Sequence, residues 1–243
     1  MNRRQLASYF DHTLLKAYAT EKELTALCDE ARAYGFKMVA INSSPVRFCK
    51  EQLKDTPVHI GAAISFPLGQ TTVAVKLFEA ETAISEGADE IDYVINVGMA
   101  RMHRWDYIED EMRRMTELCR RRGVIVKAIF ENCYLEKDEI AELARIAARV
   151  RPDFIKTSTG FGTGGATVED VRLMKQSCGP DVQVKAAGGI RTLSDCLAMI
   201  EAGATRIGTS SGVKLVEELK RMGKLNNGDL ETGTSVQGIH LGR

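Results

Sequence analysis

Short apolar runs alternate with longer amphipathic stretches along most of this chain. Eight runs can be counted, at residues 9–13, 36–41, 58–64, 90–95, 124–130, 154–156, 182–186 and 205–207. Between them, apolar residues recur at helical spacing at 21–34, 73–86, 136–150, 170–177 and 193–201. This alternation is typical of a parallel sheet, and nearly continuous apolar strands indicate that both of its faces are buried. Eight units predict a closed (β/α)8 barrel rather than an open sheet.

Length and glycine placement agree with one barrel. Gly35, Gly87 and Gly203 each follow a predicted helix and precede a predicted strand, which is the usual place of a C-terminal helix cap. A chain of 243 residues fits a barrel of about 250. We therefore predict an α/β TIM barrel with a short N-terminal helix over residues 1–225. Periodicity is lost over 226–243, where we expect an irregular, flexible tail, with an active-site flap as the alternative.

Composition excludes several classes of protein. Lys plus Arg and Asp plus Glu both number 33, so no overall field favours nucleic acid or an anionic membrane. The six cysteines form no C-x-x-C pair and the four histidines are scattered, which argues against structural zinc and a disulfide framework. No apolar run approaches the roughly 18 residues of a membrane span. We expect a reduced, cytoplasmic protein without metal or cofactor.

Ionisable residues interrupt five of the apolar runs. They are Asp11, Asp92, Lys127, Lys156 and Lys185. A lysine is almost never fully buried unless it is paired, and polar residues at the C-terminal ends of barrel strands are typical of catalysis. A single ionisable residue in a strand could be a paired charge in the core, or it could face solvent if the assumed strand register is wrong by one position. Five together favour an active site.

Two of these lysines suggest a particular chemistry. Lysine is a nucleophile only when neutral, and lowering its pKa from about 10.4 to about 7 requires about 4.6 kcal/mol. A second ammonium at about 4 Å supplies about 4 kcal/mol at an effective dielectric constant near 20. The charge of Lys185 beside Lys156 would therefore supply nearly all of the free energy needed to lower the pKa of Lys156. The neutral amine would then form a Schiff base with a carbonyl. Asp92 would then carry protons. Metal-assisted chemistry is the competitor, but only Asp11-His12 suggests ligands.

Glycine-rich segments follow the last three strands, at residues 159–165, 188–191 and 208–212. Backbone N–H groups in such loops bind phosphate, which barrels commonly place after strands seven and eight. The alternative is that the glycines only permit tight turns. Gly160, Gly162 and Gly165 also match G-x-G-x-x-G, but five strands already precede them, so a dinucleotide fold is disfavoured. The predicted substrate contacts are Asp11, Lys127, Thr159, Gly160, Gly188, Gly189, Arg191, Gly208, Ser210 and Ser211.

Seven segments together resemble the deoxyribose-phosphate aldolase family. They are DHTLL (11–15), SFPLG (65–69), DEIDYVINVG (89–98), VKAIFEN (126–132), DFIKTSTGFGTGGAT (153–167), VKAAGGIRT (184–192) and RIGTSSG (206–212). The resemblance spans roughly residues 6–220 in the family's order. KTSTGF together with KAAGGIR is its most specific element.

The resemblance implies a metal-free class I aldolase. Members reversibly cleave 2-deoxy-D-ribose 5-phosphate to acetaldehyde and D-glyceraldehyde 3-phosphate. By resemblance, Lys156 forms the Schiff base, Lys185 and Asp92 transfer protons, and Asp11 and Lys127 support them. The alternatives are a related aldolase for another phosphorylated sugar and a non-catalytic phosphosugar-binding barrel. A phosphorylated sugar is the expected partner, nucleic acid and membranes are not, and a homodimer is possible.

Three departures from the family pattern bear on rate and acceptor range. Residues 39–45 are V-A-I-N-S-S-P, where many bacterial members have V-C-V-N-P. Glu131-Asn132 stands where E-T is usual. Some members end in a tyrosine that assists proton transfer, whereas this tail contains none, which makes a catalytic flap a weaker alternative.

Overall fold

Eight parallel strands pair in sequence order and close into a barrel in the computed structural model, which describes residues 1–231 and side chains through Met222. The strands are β1 (Phe10–Leu14), β2 (Met38–Asn42), β3 (His59–Ile64), β4 (Glu90–Val94), β5 (Ile125–Ile129), β6 (Phe154–Lys156), β7 (Gln183–Ala187) and β8 (Ala204–Thr209). The predicted (β/α)8 barrel is confirmed.

Helices pack around the barrel. They are α1 (Arg3–Ala7), α2 (Glu21–Tyr34), α3 (Val46–Leu53), α4 (Val73–Ser85), α5 (Val97–Arg101), α6 (Trp105–Arg122), α7 (Lys137–Val150), α8 (Val168–Ser177), α9 (Leu193–Glu201) and α10 (Gly212–Glu231). The predicted short N-terminal helix is α1. The segments predicted from apolar spacing did not include α3, α5, α6 or α10. Of these, α3 and α5 have only one or two turns, which is too short to show a period. None of the described helices is both long and apolar enough to cross a bilayer.

Glycines mark the helix-to-strand turns as expected, in two ways. Gly35 is itself the left-handed C-cap of α2, with φ of +68°. Gly87 and Gly203 instead follow right-handed caps at Glu86 and Ala202 and adopt φ of +111° and +113°. At all three positions the backbone conformation is one that residues with a Cβ rarely adopt.

The last helix extends past the predicted domain boundary. We expected an irregular tail from residue 226, but α10 continues to Glu231. Asn226, Asn227 and Gly228 have poor helix propensity, yet extending a helix that is already nucleated costs much less than starting one. The rest of the predicted tail, residues 232–243, lies outside the described residues.

Strand alternation fills the barrel interior in layers. Met38 on β2 pairs with His59 on β3, but its side chain reaches over Gly61, where a Cβ would come within 2.3 Å of the Met38 sulfur. The glycine therefore makes room for a methionine that crosses the floor of the barrel. Its Sδ contacts Lys127 Nζ at 3.5 Å and Arg206 Nη2 at 3.7 Å. Ion pairs occupy the space above this floor.

A second set of buried charges lies outside the barrel, between α4 and α6. Lys76 Nζ is 2.6 Å from Glu111 Oε1, and both side chains are fully buried. Lys76 also donates to the carbonyl of Val94 at 2.7 Å, and Glu111 Oε2 accepts from the backbone N–H of Asn96 at 3.0 Å. Burial lowers the pKa of Lys76 and raises that of Glu111. The pair thus anchors the chain where it leaves β4.

We predict that Lys76→Met lowers the free energy of unfolding by about 3–5 kcal/mol, because it leaves the Glu111 carboxylate buried without a partner. Replacing both residues, as Lys76→Met/Glu111→Leu, should recover much of that loss, since no buried charge remains. Urea unfolding measures both values. Lys54→Met, which breaks only the exposed pair with Glu51, is the control. A single variant as stable as this control would contradict the assignment.

Candidate active site

The upper part of the barrel interior is filled by charged side chains from six strands. All of them are buried, with at most 5 % of their surface exposed. They are Asp11, Glu90, Asp92, Lys127, Lys156, Lys185 and Arg206. The five ionisable residues predicted from the strands therefore converge in one place. The register explains this, because Asp92 pairs with Lys127, and Lys156 with Lys185, on neighbouring strands.

Asp92 lies at the centre of the group. Its Oδ2 contacts Lys185 Nζ at 2.7 Å and Lys156 Nζ at 3.0 Å, while its Oδ1 contacts Lys127 Nζ at 2.6 Å. Burial alone would raise the pKa of Asp92, but the positive charges of Lys127, Lys185 and Lys156 hold it well below its usual range. Asp92 is therefore a carboxylate, and it accepts from all three lysines.

Two further acids and an arginine complete the ion pairs beneath Asp92. Asp11 contacts Lys185 Nζ and Arg206 Nη2, both at 2.5 Å. Glu90 contacts Lys127 Nζ at 2.5 Å and Arg206 Nη2 at 3.0 Å. Lys127, Lys185 and Arg206 therefore each contact two of the three acids Asp11, Glu90 and Asp92. Buried charges are stable only when they are compensated in this way.

Glu90 and Arg206 are functional residues that the sequence analysis missed. Each lies two positions before a residue that it did identify, Asp92 on β4 and Gly208 on β8. Because side chains two apart on a strand share a face, a period-two search from the identified residues would have found both. Burial raises the pKa of Glu90, but Lys127, His59 and Arg206 more than reverse this and lower it.

Lys156 is the one cation whose charge the cluster does not neutralise. The cluster holds four cations and three carboxylates, so it is neutral only when one cation loses its proton. Burial first, and then the charge of Lys185, lower the pKa of Lys156 to about 8 against the opposing effect of Asp92. Lys127, between Asp92 and Glu90, instead has a raised pKa. The expected effect of Lys185 is present, but burial is the larger cause.

A cavity of about 490 Å³ opens above Lys156 toward α2. The predicted residues that line it are Lys156, Thr159, Gly160, Gly188, Gly189, Arg191, Gly208 and Ser210. Asp11, Asp92, Lys127 and Lys185 lie beneath its floor. Ser211 is not part of the lining, and its backbone N–H donates to Thr209 Oγ1 at 3.0 Å.

The loops after β7 and β8 shape one side of the cavity. Gly188 and Gly189 adopt φ of +87° and +78°, which a larger residue would adopt only with strain. Thr209 Oγ1 donates to the carbonyl of Ile190 at 2.8 Å and so joins the two loops. Gly208 has a second role, because a Cβ there would lie 3.2 Å from Cε of Lys185. The first turn of α10 begins at Gly212, next to these loops, where helix N-termini favour anions.

Among the described residues, no three His, Cys, Asp or Glu side chains converge as metal ligands would. His12 is next to Asp11 in sequence but turns away from it. Its Nε2 lies 2.5 Å from Glu30 Oε2 on α2. The side chains of Asp11 and His12 therefore do not face a common site where both could bind a metal.

Comparison with known proteins agrees with this geometry. A family model described as "DeoC/LacD family aldolase" matches residues 5–218. The chain belongs to this aldolase family. It is 58% identical over 214 residues to a deoxyribose-phosphate aldolase of Lactobacillus acidophilus, covering 88% of this chain and 90% of that protein. A deoxyribose-phosphate aldolase of Thermococcus kodakarensis is 50% identical over 219 residues, covering 89% and 98% of the two chains.

Solved structures of family members share the fold. Deoxyribose phosphate aldolase from Aeropyrum pernix, described as a unique tetramer, superposes with a TM-score of 0.85 at 33% identity and covers 91% of this chain and 93% of its own. An aldolase called QR15 gives a TM-score of 0.85 at 35% identity, covering 90% and 98%. The resemblance to the family inferred from seven sequence segments is confirmed.

We predict that Lys185→Met raises the pKa of Lys156 from about 8 by about one pH unit or more. The substitution removes a nearby positive charge, and the Asp92 carboxylate is then shared by Lys156 and Lys127 alone. The fraction of neutral amine at pH 7 then falls. The pH dependence of reductive methylation at Lys156, followed by peptide mass mapping, measures this. Lys50→Met, at a partly exposed position on α3 outside the barrel, should leave the midpoint unchanged, and an unchanged midpoint in Lys185→Met would disprove the effect.

Proposed function

We propose that the protein is a class I aldolase that reversibly cleaves 2-deoxy-D-ribose 5-phosphate to acetaldehyde and D-glyceraldehyde 3-phosphate through a Schiff base on Lys156. The observation that carries this proposal is a buried lysine with a pKa of about 8 that lines a cavity and adjoins Lys185 and Asp92. Near neutral pH, an amine of this kind supplies enough neutral form to attack an aldehyde.

The proposed reaction begins at the aldehyde carbon of the open-chain sugar. The lone pair of Lys156 Nζ forms a bond to C1, and the carbonyl oxygen takes a proton to give a carbinolamine. Loss of that oxygen as water leaves an iminium ion. Lys185 is placed to supply the proton and Asp92 to take one from the nitrogen, since both lie next to Lys156.

Carbon–carbon cleavage then uses the iminium ion as an electron sink. A base removes the proton of the C3 hydroxyl, the C2–C3 bond breaks, and its electrons form an enamine on Lys156. D-Glyceraldehyde 3-phosphate leaves. Protonation of the enamine at C2 and addition of water to the iminium release acetaldehyde and restore the amine. Asp92, held ionised by three lysines, is the group that we assign to the proton transfers.

The phosphate of the substrate is assigned to the loops at 188–191 and 208–211. Gly188, Gly189, Gly208 and Ser210 line the cavity beside Arg191, and the start of α10 lies next to them. Backbone N–H groups, a guanidinium and a helix N-terminus together suit a phosphoryl group. The cytoplasmic location and a homodimeric state stay predictions, and light scattering of the purified protein tests the second.

We predict that borohydride added with acetaldehyde attaches one ethyl group to Lys156, because reduction fixes the Schiff base at the nucleophile. In Lys156→Ala the adduct should be lost and kcat should fall on the order of 10³-fold or more. Peptide mass mapping locates the adduct. Lys54→Ala, which changes an exposed lysine just after α3, should retain both adduct and turnover.

An adduct that persists at full yield in Lys156→Ala would contradict the assignment. The two alternatives give different results with the wild-type protein. A panel of sugar phosphates assayed for acetaldehyde release identifies an aldolase for another substrate. Binding of deoxyribose phosphate with neither turnover nor a trapped adduct would identify a non-catalytic binding barrel.

A further inference from the structure

Glu131 is a buried acid that lies just beyond the end of β5 and does not line the cavity. Its side chain is 3 % exposed, and its backbone adopts φ of +58°, in the left-handed region that non-glycine residues rarely occupy. A strained residue of this kind persists only where its surroundings hold it. Here the backbone N–H of Asn132 donates to the carbonyl of Thr157 at 2.9 Å, which fixes the β5 loop against β6.

Both carboxylate oxygens of Glu131 are directed at Thr159. The backbone N–H of Thr159 donates to Oε1 at 3.0 Å, and its hydroxyl donates to Oε2. The same hydroxyl oxygen accepts from the backbone N–H of Phe161 at 3.0 Å. Thr159 therefore lines the cavity but turns its donors away from it. The direct substrate contact that the sequence suggested for Thr159 does not fit this arrangement.

The other end of the same loop is held by β7. A Cβ at Gly165 would come within 2.2 Å of the carbonyl oxygen of Gly188, so the two loops pack backbone to backbone. The N–H of Ala166 lies 3.1 Å from the carbonyl oxygens of both Ala187 and Gly188. The segment from 159 to 166 is thus held from β5 at one end and from β7 at the other. Gly160 and Phe161, which line the cavity, lie between these anchors.

We propose that Glu131 is a positioning residue for the phosphate end of the site. Through Thr159 it holds the loop after β6 against Gly188, where a Cβ at Gly160 would lie 3.9 Å from Gly188 Cα, and so supports the loop after β7 that is assigned to the phosphate. This inference rests on the proposed function, because it assumes a phosphorylated substrate in the cavity. Lys156 is fixed by its strand and by Asp92, so loss of Glu131 should weaken phosphate binding without disabling the amine.

The test compares two substrates, 2-deoxy-D-ribose 5-phosphate and 2-deoxy-D-ribose. In Glu131→Gln and Thr159→Val, KM for the phosphorylated sugar should rise about tenfold or more, as expected when a hydrogen bond to a charged group is lost. The kcat/KM for the unphosphorylated sugar should change little by comparison. The acetaldehyde adduct on Lys156 should form at the wild-type yield. Glu131→Ala should have a larger effect than Glu131→Gln, which keeps one acceptor for the Thr159 N–H.

Glu111→Gln is the matched control, since it makes the same change at a buried glutamate that has no contact with the cavity. It should lower stability and leave the ratio of kcat/KM for the two sugars at its wild-type value. An equal loss with both sugars in Glu131→Gln, or an unchanged KM, would overturn the positioning role. If Glu131→Ala does not fold, Thr159→Val decides the question, because it keeps the acid and removes only the hydroxyl.

A failure of the proposed function gives a different result. If the wild-type protein turns over neither sugar, the aldolase assignment is wrong, and the inference is then tested by calorimetric titration with inorganic phosphate. Glu131→Gln should weaken that binding about tenfold. Equal affinity in the wild type and the variant would overturn the positioning role independently of catalysis.

Discussion

One carboxylate, that of Asp92, is shared by three lysines inside a closed barrel, and the chemistry of the site depends on it. Three buried ammonium groups this close together would repel one another by several kcal/mol if no anion stood between them. Asp92 reduces that repulsion, but it cannot satisfy all three cations equally. Lys127 and Lys185 have second acids, Glu90 and Asp11, whereas Lys156 contacts only Asp92 among the described residues. Burial and the charge of Lys185 therefore lower the pKa of Lys156 against one opposing carboxylate.

The closed barrel brings these charged side chains together and holds them in place. Parallel strands in register bring residues far apart in sequence to one level, so that Asp92, Lys156 and Lys185 meet although 64 and 93 residues separate the first from the other two. Helices outside the barrel exclude water and hold the strand ends, as the Lys76–Glu111 pair does after β4. Glycines at 61 and 208 provide the space that the long side chains of Met38 and Lys185 require.

Much of this arrangement could be predicted from the sequence, because strand burial and strand charge are local signals. The eight strands, five helices (α2, α4, α7, α8 and α9) and the five ionisable residues all follow from periodicity and from charges in apolar runs. Glu90 and Arg206 also lie within apolar runs, at 90–95 and 205–207, but they were not recognised because the face that they share with Asp92 and Gly208 was not considered. The two-residue period of a strand places Glu90 on the same face of β4 as Asp92, and Arg206 on the same face of β8 as Gly208.

Other features depend on tertiary contacts that no local pattern encodes. The glycine-rich loop after β6 predicted a contact from Thr159 to substrate, but the direction of its donors is set by Glu131, which lies 28 residues away in sequence. The continuation of α10 beyond residue 225 was not expected either, because Asn226, Asn227 and Gly228 are poor helix formers.

The account depends most directly on the ionisation of Lys156 in the wild-type protein. Carbon-13 NMR of lysine labelled at Cε, with the Lys156 signal assigned by its loss in Lys156→Met, follows that ionisation as pH is raised. The account predicts a midpoint of about 8 for Lys156, while Lys127 stays protonated well beyond it. A Lys156 that titrates with the exposed lysines, near their ordinary pKa of about 10.4, would contradict the claim that the barrel interior prepares this amine as a nucleophile.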